Sequence, residues 1–373
     1  MVRSASAIGA SVSMRGCLIP RSRLVITVGS NILNGSAGVT PSVQKQSAKM
    51  RPEKEIRAFD IFCGAGGSSR GAAMAGADIV GGIDMWDIAI ETHRENFPGS
   101  CDYQMKAGSL SPHRVLEEVG NIDLLMASPE CTGHSVAKGN RPGCEQSRAT
   151  AFEVVRFAKV LEPRWIVVEN VSQMRRWNRF EEWVRKLSAL GYYIHHGVLN
   201  ASHYATPQSR RRLFIVCDRE QEPALPPKRR SSEQPAAAVL GRGEPKKHPW
   251  QWTRLDKPGR AQATILRARR AIDALGRETP FIMVYYGSDG SGGFQSLDRP
   301  LRTITTLDRF AYVRPVCGGH EMRMLQPTEL VAAMGFPAYH RLPDVTRRAK
   351  IKMIGNAVCP NVMRDVIKHL TRS

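Results

Sequence analysis

The sequence predicts an α/β fold, a parallel sheet with crossover helices, and three observations carry that prediction. From Ile56 onward, short apolar runs alternate with segments of helical periodicity. Glycine- or proline-bearing loops follow the apolar runs, as at Gly64 to Gly67 and at Pro129. The composition, 42% hydrophobic and 24% charged, is that of an ordinary globular protein, and no stretch approaches the roughly 18 consecutive apolar residues of a membrane span. At about 150 residues per domain, 373 residues allow two domains, or one large domain with a smaller insertion.

The elements follow in order. No Asp or Glu precedes Glu53, and Ser, Gly and scattered Arg fill residues 1–54 without periodicity, so this leader reads as a disordered tail or an over-extended start. Its composition also imitates an organelle transit peptide. Met50 stands just before the first ordered segment, and truncation to it is expected to leave function intact. Strands are expected at 57–62, 77–83, 122–127 and 165–168. Between the last two, Phe152, Val155, Ala158 and Leu161 recur at helical spacing until Pro163 ends the helix, completing a βαβ unit. An apolar strand spans 213–216. From Asp218 to Glu278 prolines cluster and basic groups recur, which reads as an insertion or small second domain. A flexible Gly/Ser stretch at 287–293 precedes a β-rich segment at 302–313, and two helices, 327–334 and 361–370, close the chain.

Charge narrows the partners. Lysine and arginine number 54 against 34 acids, a net +20 with a pI near 10.0, which points to nucleic acid or an acidic membrane surface and excludes an acidic, solvating chain. Eight cysteines with no CxxC pair exclude a disulfide scaffold, a zinc ribbon and a thioredoxin-like centre, and imply free thiols in a reducing compartment.

In open parallel sheets ligands bind beyond the carboxyl ends of the strands. Phe62-Cys63-Gly64-Ala65-Gly66-Gly67, after the first strand, lets the backbone pass close to a ligand, or is a structural glycine turn; it lacks the GxGxxG spacing of dinucleotide sites. Asp84, after the second, stands where an acid accepts both hydroxyls of a ribose, or is an exposed acid at a helix start. Ser128-Pro129-Glu130-Cys131-Thr132 puts a thiol on a polar loop past a buried strand, where it is accessible for activation, although most lone cysteines are inert core thiols. Glu169, emerging from Trp165-Ile166-Val167-Val168, is either a buried acid suited to proton donation or a capping, salt-bridged one. In Gln208-Ser209-Arg210-Arg211-Arg212, alternation sends Gln208, Arg210 and Arg212 to one side, as donors for carboxylates or phosphates, with Arg211 in solvent.

Together and in this order, these segments resemble the DNA cytosine-5 methyltransferase family, from about Ile56 to Leu370. The glycine loop resembles its first cofactor motif, Pro129-Glu130-Cys131 its catalytic loop, and Glu169-Asn170-Val171 its acid motif. Gln208, Arg210 and Arg212 match its QxRxR element, and Gly355-Asn356-Ala357-Val358-Cys359-Pro360 its closing motif. The chain departs from the family in three places. Glu130 replaces the second proline before the cysteine, and Thr132 follows it. Gly108-Ser109-Leu110 supplies only a hydroxyl where an Asp often holds the adenine amino group. The helix from Ser147 lacks a clear version of the motif usual between loop and acid.

The resemblance implies the Rossmann-like, doubly wound, mostly parallel sheet of S-adenosylmethionine-dependent methyltransferases. It implies a catalytic and cofactor domain at 55–217, a small target-recognition domain at 218–324, and a C-terminal return at 325–373. S-adenosylmethionine would be held by Phe62, Gly64, Gly66, Gly67, Met85, Ser109 and Pro129, with Asp84 on the ribose and Asn356, Ala357 and Val358 nearby. Cys131 would add to carbon 6 of a flipped-out cytosine while Glu169 acts at ring nitrogen 3, making carbon 5 able to take the methyl group. Arg210 and Arg212 would supply positive charge for the thiolate and, with Gln208 and Asn170, contact the substrate. The expected partner is double-stranded DNA, with a cognate restriction endonuclease as a possible counterpart, a monomeric state and a cytoplasmic, nucleoid-associated location in a prokaryote. The alternatives are a transfer-RNA cytosine-5 methyltransferase of the same fold, disfavoured by the lack of a Cys-Phe-Thr segment, and a catalytically silent DNA-binding relative.

Overall fold

The computed structural model describes residues 55–130, 150–229, 233–247, 249–285 and 293–372. The leader, Cys131 with Thr132, the start of the helix from Ser147, and most of the Gly/Ser stretch at 287–293 lie outside the described residues.

A seven-stranded sheet organises the chain, in the order β3-β2-β1-β4-β5-β7-β6. Its strands are β1 (Arg57–Ile61), β2 (Asp78–Asp84), β3 (Cys101–Gln104), β4 (Leu124–Ala127), β5 (Trp165–Asn170), β6 (Tyr193–Asn200) and β7 (Arg211–Asp218). Strands β1 to β5 pair in parallel, while β7 runs antiparallel to both β5 and β6. Strands β4 and β5 are buried along their whole length, which explains their unbroken apolar runs: both faces are covered, so no alternation survives.

Helices α1 (Gly67–Ala75), α2 (Asp87–Asn96), α3 (Pro112–Val119), α4 (Phe152–Leu161) and α5 (Phe180–Ser188) fall between these strands. In α4 the buried stripe is Val154, Phe157, Ala158 and Leu161; Phe152 and Val155 pack at its margin, and Glu162 ends the helix at φ 46 just before Pro163.

A second, five-stranded antiparallel sheet, β10-β9-β11-β12-β8, lies within 253–324. Its strands are β8 (Thr253–Arg254), β9 (Phe281–Val284), β10 (Phe294–Ser296), β11 (Phe310–Val316) and β12 (Gly319–Met324). Helix α6 (Gln262–Leu275) supplies Ala268 and Ala271 to the core formed with Phe281, Met283, Ala311 and Val313. The two sheets are stitched where Gln208 bridges Leu301: Ser209 N donates to the Leu301 carbonyl (2.7 Å) and Leu301 N to the Pro207 carbonyl (2.9 Å). The segment at 302–309, expected to be β-rich, forms no strand.

Helices α7 (Pro327–Ala333), α8 (Arg347–Asn356) and α9 (Pro360–Leu370) return to the first sheet. Glycine makes this return possible. A β-carbon on Gly71 would stand 2.6 Å from Met363 Cβ and 2.7 Å from the Pro360 carbonyl, and one on Gly67 would run into the Val358 carbonyl. The apolar stripe of α9, Val362, Met363, Val366, Ile367 and Leu370, is buried. Among the described residues no helix is long and apolar enough to cross a membrane.

Candidate active site

At the carboxyl ends of β1, β2, β4 and β5 a cleft of about 910 Å3 opens, bounded on its far side by the end of α8 and the turn after it. The loop after β1 folds back on the end of β2, because Phe62 N (2.8 Å) and Cys63 N (3.1 Å) both donate to the Ile83 carbonyl. That reversal puts Phe62 at φ 65, a conformation unfavourable for a residue with a side chain and held here by its surroundings. Gly64, at φ 51, faces open space: a β-carbon there would meet only the Phe62 carbonyl, at 3.9 Å.

Asp84 joins the two loops. Its Oδ2 accepts from Gly64 N (3.0 Å) and its Oδ1 from Trp86 N (2.9 Å), with the Met85 backbone as a third donor, which leaves part of the carboxylate's accepting capacity for a ligand. Burial raises its pKa above the ordinary carboxylate value against those hydrogen bonds, and the charge of Glu130 adds to the rise.

Glu169 lies on β5 at the other end of the cleft, 6% exposed, with Arg212 Nε 3.2 Å from its Oε1. Burial pushes the Glu169 carboxyl pKa up; Arg212 first and then Arg210 pull it down, and burial prevails. The described thiols near the cleft are poor nucleophiles. Burial lifts Cys63 well above its ordinary value and raises Cys359 to about 11.

Of the residues singled out from sequence, Phe62, Gly64, Asp84, Met85, Ser109, Pro129, Glu169, Arg210, Arg212, Asn356, Ala357 and Val358 all line the cleft. Cys131 lies outside the described residues; Pro129 and Glu130, which lead into it, are on the cleft wall.

Five placements correct the expectation. Gly66, at φ 73, is absent from the lining and faces Phe97, His93 and His340, and Gly67 is pressed against Val358, so both shape the fold rather than the cleft wall. Gln208 is fully buried, its Oε1 accepting from Ile304 N (3.0 Å) and its amide nitrogen lying 2.9 Å from Met334 sulfur, out of reach of any substrate. Asn170 donates to the Pro129 carbonyl (3.0 Å) and accepts from Val171 N (2.8 Å), which makes it a brace for the loop. Arg210 borders the cleft, but its guanidinium donates to the carbonyls of Ile304 (2.9 Å), Gly355 (2.7 Å) and Ala357 (3.2 Å), so it clamps the closing turn instead of presenting donors to a phosphate.

The cleft also contains Val171 of the acid motif and residues that sequence reasoning passed over: Trp86, Lys106, Glu153 and Lys352. Lys352 Nζ sits 4.7 Å from the centre of the Trp86 ring. An aromatic two residues after Asp84 was a readable signal; Lys352 and Glu153 reach the cleft only through helix packing.

A doubly wound, mostly parallel sheet with a cleft at its strand ends and an antiparallel sheet inserted late in the chain defines the class. The chain belongs to the C-5 cytosine-specific DNA methylase family, whose model matches residues 56–372. Its curated relatives include the type II methyltransferase M.HgiDI of Herpetosiphon aurantiacus, 27% identical over 43% of this chain and 52% of that protein. Another is M1.HphI of Haemophilus parahaemolyticus, 31% identical over 42% of this chain and 44% of that one. DNA (cytosine-5)-methyltransferase 1 of Mus musculus is 29% identical over 43% of this chain and 11% of its own length. The chain thus spans about half the length, or less, of the curated relatives it matches. Among solved structures, the DNMT2 of Spodoptera frugiperda superposes with a TM-score of 0.62 at 15% identity, covering 85% of this chain and 100% of that one. A putative DNA modification methyltransferase from an E. coli prophage superposes at 0.58 and 19% identity, covering 85% and 99%. The central sheet is therefore the S-adenosylmethionine-dependent methyltransferase fold.

Proposed function

We propose that this chain methylates carbon 5 of cytosine in double-stranded DNA through a transient bond between the Cys131 thiolate and carbon 6 of the ring. The observation that carries the reading is Glu169: a buried acid with a raised pKa, steadied by Arg212 at 3.2 Å, in the same cleft as the Pro129-Glu130 lead into Cys131. Cytosine carbon 5 is too poor a nucleophile to be alkylated unaided. Cys131 adds to carbon 6 while Glu169 gives its proton to nitrogen 3, which leaves carbon 5 enamine-like. Arg212 favours the thiolate over the thiol and holds Glu169 in place. Once carbon 5 is alkylated, loss of its proton to a base expels the thiolate, and Glu169 recovers the nitrogen 3 proton.

Bound in the cleft, S-adenosylmethionine supplies an electrophilic sulfonium methyl group. The lining fits such a ligand: open space over Gly64, spare accepting capacity on Asp84, and apolar walls from Phe62, Met85 and Val358. Phe62, Gly64, Met85, Ser109, Pro129, Asn356, Ala357 and Val358 would hold it, with Asp84 on the ribose hydroxyls.

The target base is inaccessible in a stacked duplex and must be extruded, at a cost of a few kcal/mol offset by backbone contacts. A net charge of +20 suits that phosphate binding. The antiparallel sheet within 253–324 is the part proposed to read the flanking bases. The type II methyltransferases among its relatives support a cognate restriction endonuclease as counterpart.

Transfer of a labelled methyl group from S-adenosylmethionine to plasmid DNA, abolished in Cys131→Ser, is the expected result. Labelling of transfer RNA with DNA left unlabelled would overturn the substrate, and DNA binding without transfer would make the chain a silent relative.

A further inference from the structure

The turn after β3 presents Lys106 and Ser109 as its polar side chains and no carboxylate of its own, yet a carboxylate reaches it from elsewhere in the fold. Glu153, in the first turn of α4, lines the cleft together with Met105, Ala107, Gly108 and Ser109. Arg156 fixes it there. The guanidinium donates through Nε to Glu153 Oε2 (2.7 Å) and, with its other nitrogens, to the carbonyls of Leu110 (2.9 Å) and Ala107 (2.6 Å), tying the carboxylate to the turn. The second oxygen, Oε1, points at Gly108, where a β-carbon would stand 3.3 Å away, so the absence of a side chain at 108 leaves that oxygen room.

The order β3-β2-β1-β4-β5 sets the direction of a bound nucleoside. With its reacting end toward Glu169 on β5 and its ribose on Asp84 at the end of β2, its base lies over the next position outward, the turn after β3. Among the described residues, three of the four carboxylates in the lining are placed elsewhere: Asp84 bonds its own loops, Glu169 pairs with Arg212, and Glu130 ends the described part of the loop after β4.

We propose that Glu153 accepts a hydrogen bond from the exocyclic amino group of the cofactor's adenine, and so selects 6-amino over 6-oxo purines. The assignment rests on the cofactor reading above. An ionised carboxylate only accepts, so it rewards the amino donor of adenine and repels the carbonyl oxygen that hypoxanthine presents at the same place. Arg156 holds the carboxylate before the ligand arrives, so little order is lost on binding.

The test is calorimetric binding of S-adenosylhomocysteine and of its 6-oxo counterpart, S-inosylhomocysteine, to the full chain without DNA. The wild type is expected to prefer the adenosyl ligand by about tenfold or more, about 1.4 kcal/mol. Glu153→Gln keeps an oxygen for Arg156 and turns an amide donor toward the base, so the ratio should fall to about one or invert. Glu153→Ala should lose the preference as well. Retention of the wild-type ratio in folded Glu153→Gln would overturn the assignment alone, with adenosyl binding intact. Failure of the wild type to bind either ligand would overturn the cofactor reading and the assignment with it.

Discussion

Replacing Arg210 with methionine separates a structural clamp from a substrate contact. The guanidinium is 3% exposed and bonds three carbonyl oxygens, those of Ile304, Gly355 and Ala357, which belong to the approach to the second sheet and to the closing turn. Methionine fills the stem but donates nothing. A buried acceptor left without a donor costs about 1–3 kcal/mol. Arg210 borders the cleft, so water can reach part of the site and the low end applies, giving about 3 kcal/mol for three acceptors. That is about a hundredfold in the folding constant. With a urea dependence of about 1–3 kcal/mol per molar, the unfolding midpoint should fall by about 1–3 M. Loss of one of the two cations near Glu169 should also raise that acid's pKa further. An unchanged urea midpoint together with lost DNA affinity would refute the clamp and put the guanidinium on the substrate.

Two more perturbations follow from the cofactor side of the sheet. Asp60, fully buried on β1, has its pKa raised from 3.8 to about 6 by burial, against the Ser69 hydroxyl at 2.7 Å and nearby His93. The folded pKa exceeds the unfolded one, so Asp60's contribution to stability is full below about pH 4 and lost as the pH rises through about 6. A shift of about two units corresponds to about 3 kcal/mol. Asp60→Asn should therefore be more stable than wild type at pH 8 but not at pH 4 in urea unfolding, and identical pH slopes would contradict this. Gly67→Ala sets a β-carbon against the Val358 backbone, which cannot rotate away, and should cost about 1–3 kcal/mol and weaken S-adenosylhomocysteine binding. Unaltered melting and affinity would show that the α1 to α9 contact has slack.

Much of this arrangement was legible in the sequence, and the boundary of legibility has physical causes. Strands β4 and β5 were readable because burial on both faces demands apolar runs, β1 and β2 because the short apolar stretches Ala58-Phe59 and Ile79-Val80 mark them, and α4 because its stripe repeats at helical spacing before a proline. Helix α6 was not: Arg267, Arg269 and Arg270 are among the basic groups that recur from Asp218 to Glu278 and hide the helical period, although Ala268 and Ala271 carry its buried face. Strand β6 lies at the sheet edge with most positions half-exposed, so its pattern is diluted. The cleft's location followed from the strand-end rule, and the alternation that put Arg210 and Arg212 on one side holds, since both border the cleft. Alternation gives a direction and no partner. The carbonyls that occupy Arg210 come from residues 304, 355 and 357, and local sequence carries no trace of them. Glu153 escaped notice for the same reason, because only the packing of α4 brings it to Gly108.

The covalent role of Cys131 is tested most directly with duplex oligonucleotides in which 5-fluorocytosine replaces cytosine. Fluorine cannot leave carbon 5 as a proton does, so once the methyl group has been transferred to that carbon the thiolate has no route of departure. Incubated with S-adenosylmethionine, the wild type should yield a denaturation-resistant protein–DNA species whose linked peptide contains Cys131, and Cys131→Ser should yield none. Absence of that species across many sequence contexts, or linkage at a different residue, would contradict the account.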